Sequence, residues 1–122
     1  PYTIELEPNQ RYDGRIILLI SGNAASAGEI FVLAMRALPQ VTLMGQPTMG
    51  ILSDVMDRQL PNGWSMGLSN EYYRTMEGEL FEHIGIPPDV PIEAHLLHLD
   101  DRQAGIDQGL EFVTTWIEEN PI

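Results

Sequence analysis

Ile16-Ile17-Leu18-Leu19-Ile20 runs directly into Ser21-Gly22-Asn23, then two alanines, Ser26, and a segment with helical periodicity. A continuous run of aliphatic and β-branched side chains of this length reads as a buried strand. Ser-Gly-Asn is turn chemistry. Ile30, Phe31, Leu33, Ala34, Ala37 and Leu38 then recur at helical spacing until Pro39 stops the helix. Strand, tight turn and helix are thus fixed in that order. Ser26 falls at the head of the helix, beside N–H groups that have no intrahelical partner and at the positive end of the helix dipole.

A second apolar run, Val41 to Met44, follows the helix. Strand, helix and strand joined by short connections predict a right-handed parallel crossover and hence an α/β fold. Upstream, Tyr2 to Leu6 alternates like an edge strand, Glu7-Pro8-Asn9-Gln10 breaks it, and Asp13-Gly14 is a turn into the buried strand. Downstream, Gly45 to Gly50 is a loop. Val55 to Leu60 and Trp64 to Ser69 flank Pro61-Asn62-Gly63 and predict a β-hairpin. Asn70 to Thr75 continues extended and Met76-Glu77-Gly78-Glu79 is a turn. Gly85-Ile86-Pro87-Pro88-Asp89 is barred from regular helix by its prolines, and Pro91 closes that stretch. A last helix runs from Asp100 or Asp101 to about Glu119, with Ile106, Leu110, Val113 and Ile117 on one stripe. Neither an internal repeat nor a low-complexity linker is present, so residues 1–122 read as a single domain or domain fragment.

Charge and composition exclude several classes of function. The net charge is −12 and all six basic residues are arginines, so no basic patch forms and nucleic acid is not an expected partner. Without cysteine there are no disulfides, thiol nucleophiles or thiolate metal sites. The longest apolar run is too short to span a membrane. The chain begins at Pro1, not Met, with no visible signal peptide.

A serine nucleophile needs exposure, a base, and donors for a developing oxyanion. A strand-to-helix turn supplies exposure, and the N–H of Ala27 supplies a donor. Ala24, Ala25, Ala27 and Gly28 let a substrate backbone approach closely. Locally, however, Ser26-Ala27-Gly28-Glu29 also fits an ordinary capping box, with Ser26 at the N-cap and Glu29 at N3.

The wider pattern weighs in favour of the nucleophile. Gly22-Asn23-Ala24-Ala25-Ser26-Ala27-Gly28-Glu29 resembles the nucleophile motif of the C-terminal-processing (tail-specific) serine peptidases, commonly Gly-Asn-Thr-Ala-Ser-Ala-Gly-Glu. Val41 to Gly50 resembles that family's hydrophobic strand and Gly-x-x-Thr-x-Gly loop, with Thr48 and Gly50 shaping the loop beside the nucleophile. Leu60 to Ser69 resembles its hairpin, and Glu82 to Val90 its closing Glu-x-x-Gly-Ile-x-Pro-Asp segment. The segments occur in the family's order from about Gly14 to Ile92. The resemblance implies a fold of stacked β-β-α units of the ClpP and crotonase type, here the C-terminal part of the peptidase catalytic domain. It implies serine-type endopeptidase activity with Ser26 as the acyl-forming nucleophile and Ala27 N–H in the oxyanion hole. Gly22, Asn23, Gly28, Thr48 and Gly50 shape the site. The second oxyanion donor lies upstream in the family.

One departure matters. Tail-specific peptidases place a lysine base right after the Gly-x-x-Thr-x-Gly loop; here Ile51 stands there, Val55 stands where a glutamine is expected, and the chain has no lysine at all. The lysine-free branch, which includes the tricorn core protease and the repeats of interphotoreceptor retinoid-binding protein, resembles this chain more closely. In tricorn an upstream histidine is the base, helped by a glutamate in the closing motif, and the matching residue here is Glu82. The implied site is a half-site: nucleophile Ser26 and acidic member Glu82, with a histidine expected from outside these residues, so that the chain alone is inactive and its full-length parent is the enzyme.

Other residues carry less. In an extended segment, His83 and Glu82 point to opposite faces. His95 and His98 share a helical face but lack a third ligand. Asp89 reads as a turn or cap residue, Asp54 and Asp57 as an exposed strand face, and Tyr72 and Tyr73 as packing on opposite faces. No cofactor and no metal are expected. The expected partner is a peptide or protein substrate, with an oligomer possible, and an exported location is favoured over a cytoplasmic one. The alternative is a non-catalytic binding module for an apolar ligand or peptide, with Met49, Ile51, Met56 and Met66 lining a groove.

Overall fold

The computed structural model describes residues 12–93 and 101–121. The predicted edge strand at Tyr2 to Leu6, and His95 and His98, lie outside the described residues. In chain order come β1 (Ile16–Ile20), α1 (Ala27–Arg36), β2 (Val41–Gly45), the pair β3 (Val55–Gln59) and β4 (Ser65–Ser69), the two-residue β5 (Val90–Pro91), and α2 (Arg102–Glu119).

β1, β2 and β5 form a parallel sheet in that order. β1 and β2 pair over their whole length, from Ile16 against Val41 to Ile20 against Gly45. β5 is held to β2 through Met44 against Val90 and Gly45 against Pro91. The short β5 is lengthened by a side chain. The Asp89 N–H donates to the Leu43 carbonyl (2.9 Å), and the Leu43 N–H donates to Asp89 Oδ2 (2.8 Å). Asp89 therefore acts as an extra rung between segments rather than as a turn or cap residue. The predicted hairpin is present, β3 antiparallel to β4. Its turn is closed by the Leu60 N–H on the Trp64 carbonyl (2.7 Å). Both hairpin strands are exposed along their full length.

Ile20, Val32, Leu43, Leu52, Phe81 and Ile86 form the core, with Leu18, Ile30, Leu33, Val41 and Tyr73 packed against them. It sits where α1, the sheet and the closing segment around Ile86 meet. α1 turns inward only part of its apolar set, Ile30, Val32 and Leu33. Phe31 and Leu38 are exposed, whereas Glu29 and Val32 are buried. A glutamate three residues before a valine thus lies on the core face, because the third and fourth neighbours of a helix stack on one side. At the far end of α1, Arg36 makes an ion pair with Glu79 (3.0 Å) and lies over the Phe81 ring.

α2 begins as predicted. Asp101 is its N-cap, its Oδ1 accepting from the N–H groups of Gln103 and Ala104. Near its other end, Arg15 stacks on Trp116 and donates to the Asn120 carbonyl (2.7 Å). Of the predicted stripe, Ile106, Leu110 and Ile117 are exposed, at 44, 53 and 42%, and Val113 is half-buried. No helix among the described residues is long and apolar enough to cross a membrane.

Candidate functional site

Three backbone segments converge at the head of α1: the turn after β1, the loop after β2, and the closing segment before β5. The Ser26 N–H donates to the Ile51 carbonyl (2.8 Å), and the Met49 N–H donates to the Ala24 carbonyl (2.9 Å), so the loop lies along the turn. The His83 N–H donates to the Gly50 carbonyl (2.8 Å), and the backbones of Thr48 and Ile86 pair in the same layer (3.2 Å). Glycine is required at this crossing. Gly50 and Gly85 have φ of +77° and +82°, and a Cβ on Gly50 would stand 2.7 Å from the Gly85 nitrogen. A Cβ on Gly85 would collide with the Thr48 carbonyl.

Ser26 has φ 52° and ψ −123°, a conformation side-chain-bearing residues rarely adopt. Its side chain is exposed and makes no capping hydrogen bond. The capping-box expectation is therefore corrected on both sides. Ser26 caps α1 through its backbone alone, its carbonyl accepting from the N–H groups of Glu29 (2.9 Å) and Ile30 (3.1 Å). Glu29 does not reach back to the N-cap. It points into the protein, fully buried. Among the described residues the Ala27 N–H has no partner, so an unpaired donor sits next to the exposed Ser26 hydroxyl at the positive end of α1.

Because the cost of such a backbone conformation is of order 1–3 kcal/mol for a residue with a side chain, and glycine relieves it while adding about 0.5–1 kcal/mol of chain entropy, Ser26→Gly is expected to stabilise the fold by roughly 1 kcal/mol. Thermal unfolding followed by circular dichroism should show a midpoint raised by a few degrees; a lowered midpoint would contradict the strain.

The loop is held by two carboxylates that take four successive backbone amides. Glu29 Oε1 accepts from the Gly50 N–H (2.8 Å) and the Thr48 hydroxyl (2.5 Å), and Glu29 Oε2 accepts from the Ile51 N–H (2.7 Å). Glu82 Oε2 accepts from the Leu52 and Ser53 N–H groups (3.0 Å each), while its Oε1 has no hydrogen bond among the described residues. Thr48 Oγ1 in turn accepts from the Ile86 N–H (2.7 Å), joining the closing segment to the same network. Hydrogen bonds to charged acceptors are the strong ones, so the loop is pinned amide by amide.

The remaining predicted residues fall around this frame. Gly22 and Asn23 form the turn between β1 and Ser26, with the Asn23 N–H on Ser21 Oγ (3.3 Å) and the Ala24 N–H on the Ser21 carbonyl (2.9 Å). A Cβ on Gly28 would meet nothing within 4 Å, so that face of the helix start is open. Met49 and Ile51 present half-exposed apolar side chains beside Ser26 (45 and 49%). His83 lies in a turn with φ 64°, not in the extended segment expected, because its N–H is drawn onto Gly50. Sequence missed the inward placement of Glu29, since Ser-x-x-Glu reads as a capping box; its helical spacing to the apolar Val32 was the available signal.

Comparison with known proteins gives a consistent picture. Residues 2–92 match the family model for peptidase family S41. Over 81 residues the chain is 33% identical to the carboxy-terminal-processing protease of Bartonella bacilliformis (strain ATCC 35685 / KC583 / Herrer 020/F12,63), a stretch that covers 66% of this chain and 19% of that protein. Mature CPAF complexed with lactacystin superposes with a TM-score of 0.72 at 22% identity, covering 91% of this chain and 22% of that one. The tricorn protease superposes with a TM-score of 0.61 at 23% identity, covering 97% of this chain and 13% of that one. The chain thus spans about a fifth of the curated relative. The two superpositions agree in showing the fold of a peptidase domain.

Proposed function

The chain belongs to peptidase family S41, and from that premise we propose that it is the C-terminal part of a serine-type endopeptidase catalytic domain in which Ser26 is the nucleophile. One observation carries the reading: Ser26 is held at φ 52° with a free, exposed side chain at the head of α1. An ordinary cap residue has extended backbone and spends its hydroxyl on the helix. Strained backbone held in place by its surroundings is instead a property of functional positions.

In this mechanism Ser26 Oγ attacks the carbonyl carbon of the scissile peptide bond and gives its proton to a base. The carbonyl oxygen becomes an oxyanion and takes the Ala27 N–H as one of its donors. Collapse of the tetrahedral species breaks the C–N bond, and the base passes the proton to the leaving amine. Water, activated by the same base, then releases the acyl group from Ser26. The chain has no lysine, and Ile51 cannot take a proton. We take the base to be a histidine supplied by another part of the parent protein, as the resemblance to the lysine-free branch implies. Glu82 is its orienting carboxylate. The short backbone path from Ser26 through Ile51 and Leu52 to Glu82 supports this role, as does Glu82 Oε1, which is unengaged among the described residues. A peptide or protein is the substrate.

Treatment of the parent protein with a fluorophosphonate probe should give an adduct mapped by mass spectrometry to Ser26, and Ser26→Ala should remove it. Equal labelling of both proteins would sink the assignment. A second reading, a non-catalytic site for an apolar ligand or peptide, is favoured by the exposed side chains of Met49, Ile51, Met56 and Met66. It predicts no adduct at Ser26 in the intact parent, together with saturable binding of a fluorescent apolar probe that Met49→Asp weakens.

A further inference from the structure

We infer that Glu29 is the positioning residue of the site: a buried carboxylate that sets the backbone of Ser26 through the loop it clamps. The inference rests on Ser26 being the nucleophile. Glu29 never touches Ser26 with its side chain. It acts at one remove, on the two amides that flank the Gly50 carbonyl and on the Thr48 hydroxyl.

The geometry leaves this carboxylate little other purpose. Burying a charge is costly unless its oxygens are fully engaged, and a helix face packed on a core is ordinarily filled by an apolar residue. Glu29 takes three donors, and all of them lie in the loop beside Ser26 rather than in its own helix. Its Oε2 fixes the Ile51 amide, and the Ile51 carbonyl accepts the Ser26 N–H. The two bonds lie on the same residue, so the loop cannot shift without dragging the Ser26 nitrogen. Ser26 carries no side-chain cap that would hold its unusual φ from within. The restraint therefore comes from outside the turn, and Glu29 is its anchor. Thr48 extends the anchor to the Ile86 amide, so Glu29 also ties the nucleophile turn to the closing segment that carries Glu82.

The test uses the parent protein and a fluorophosphonate probe over a range of concentrations. Glu29→Gln keeps the volume but replaces one acceptor oxygen with an NH2 group that faces the amides. It is expected to lower the maximal inactivation rate about 100-fold, the scale that a small misplacement of a reacting group produces, with the half-saturating probe concentration unchanged. Asp101→Ala removes the cap of α2, outside the three segments of the site, and should leave both constants unchanged at a temperature where every variant is folded. If Glu29→Gln fails to fold, Thr48→Val removes one donor to the same carboxylate and should give a smaller fall, about tenfold. A folded Glu29→Gln that inactivates at the wild-type rate overturns the inference, as does an equal fall in Asp101→Ala. A wild-type protein unlabelled at Ser26 overturns the nucleophile reading instead. Amide hydrogen exchange then decides the clamp: faster exchange at Ser26 in Glu29→Gln supports it, and unchanged exchange overturns it.

Discussion

Gly85→Ala is expected to cost more than about 4 kcal/mol of folding stability, enough to leave a domain of ordinary stability largely unfolded. Two effects add. An L-residue held at positive φ costs about 1–2 kcal/mol, and Gly85 has φ +82°. The larger effect is steric, since the new methyl group would occupy the space of the Thr48 carbonyl. That obstacle is backbone, and it is held in place by the Ile86 pairing and by the Glu29 bond to the Thr48 side chain. Nothing there can move aside cheaply. Gly78→Ala is the matched control: its φ is +87°, but a Cβ would meet nothing within 4 Å. It should lose only the conformational part, about 1 kcal/mol. Urea denaturation followed by circular dichroism measures both. Equal losses would mean that the crossing of the loop and the closing segment is looser than described.

Leu43→Ala is expected to cost about 3–4 kcal/mol, with the thermal midpoint lowered by about 10 °C or more. Leu43 is fully buried in β2. It belongs to the same cluster as Ile20 of β1, Val32 of α1, and Ile86 of the closing segment. Its backbone is bonded to Asp89 on both sides, so the strand cannot collapse into the space left by the removed methyl groups. A cavity that stays open puts the loss in the upper part of the usual range. The exposed Leu68→Ala, on the hairpin, should change stability by less than about 0.5 kcal/mol. Thermal unfolding of the two variants side by side is the measurement, and a Leu43→Ala loss below about 1.5 kcal/mol would contradict a rigid core at this point.

The elements that were legible in sequence are those whose determinants are local. β1 and β2 announce themselves as apolar runs on either side of a helix-length segment, and short connections leave parallel pairing as the outcome. Pro61-Asn62-Gly63 marks the hairpin, and Asp101 opens α2 with the cap its residue type favours. What the chain hid depends on which face of an element meets a neighbour. Phe31 is larger than Val32, yet it is Val32 that is buried, because the inward face is fixed by where the sheet and the loop lie. Glu29 follows the same rule. One sequence pattern serves a reciprocal cap or an inward carboxylate, and only the tertiary position of Gly50 and Ile51 selects the second. Asp89 was similarly opaque, since its partner Leu43 is 46 residues away. For the site, position and exposure of Ser26 followed from the strand–turn–helix pattern, whereas its strained backbone did not. Its N–H is bonded to the Ile51 carbonyl, a partner that no local window contains.

Those bonds give the site a place in time as well as in space. The Glu29 contact with Gly50 and the Thr48 contact with Ile86 close sequence separations of 21 and 38 residues. Loop-closure entropy delays such contacts relative to helices and turns. On the clamp we infer, Ser26 keeps relaxed backbone until they form. The unusual geometry at the head of α1 is then acquired only with tertiary closure, late in folding, rather than being written into the turn itself.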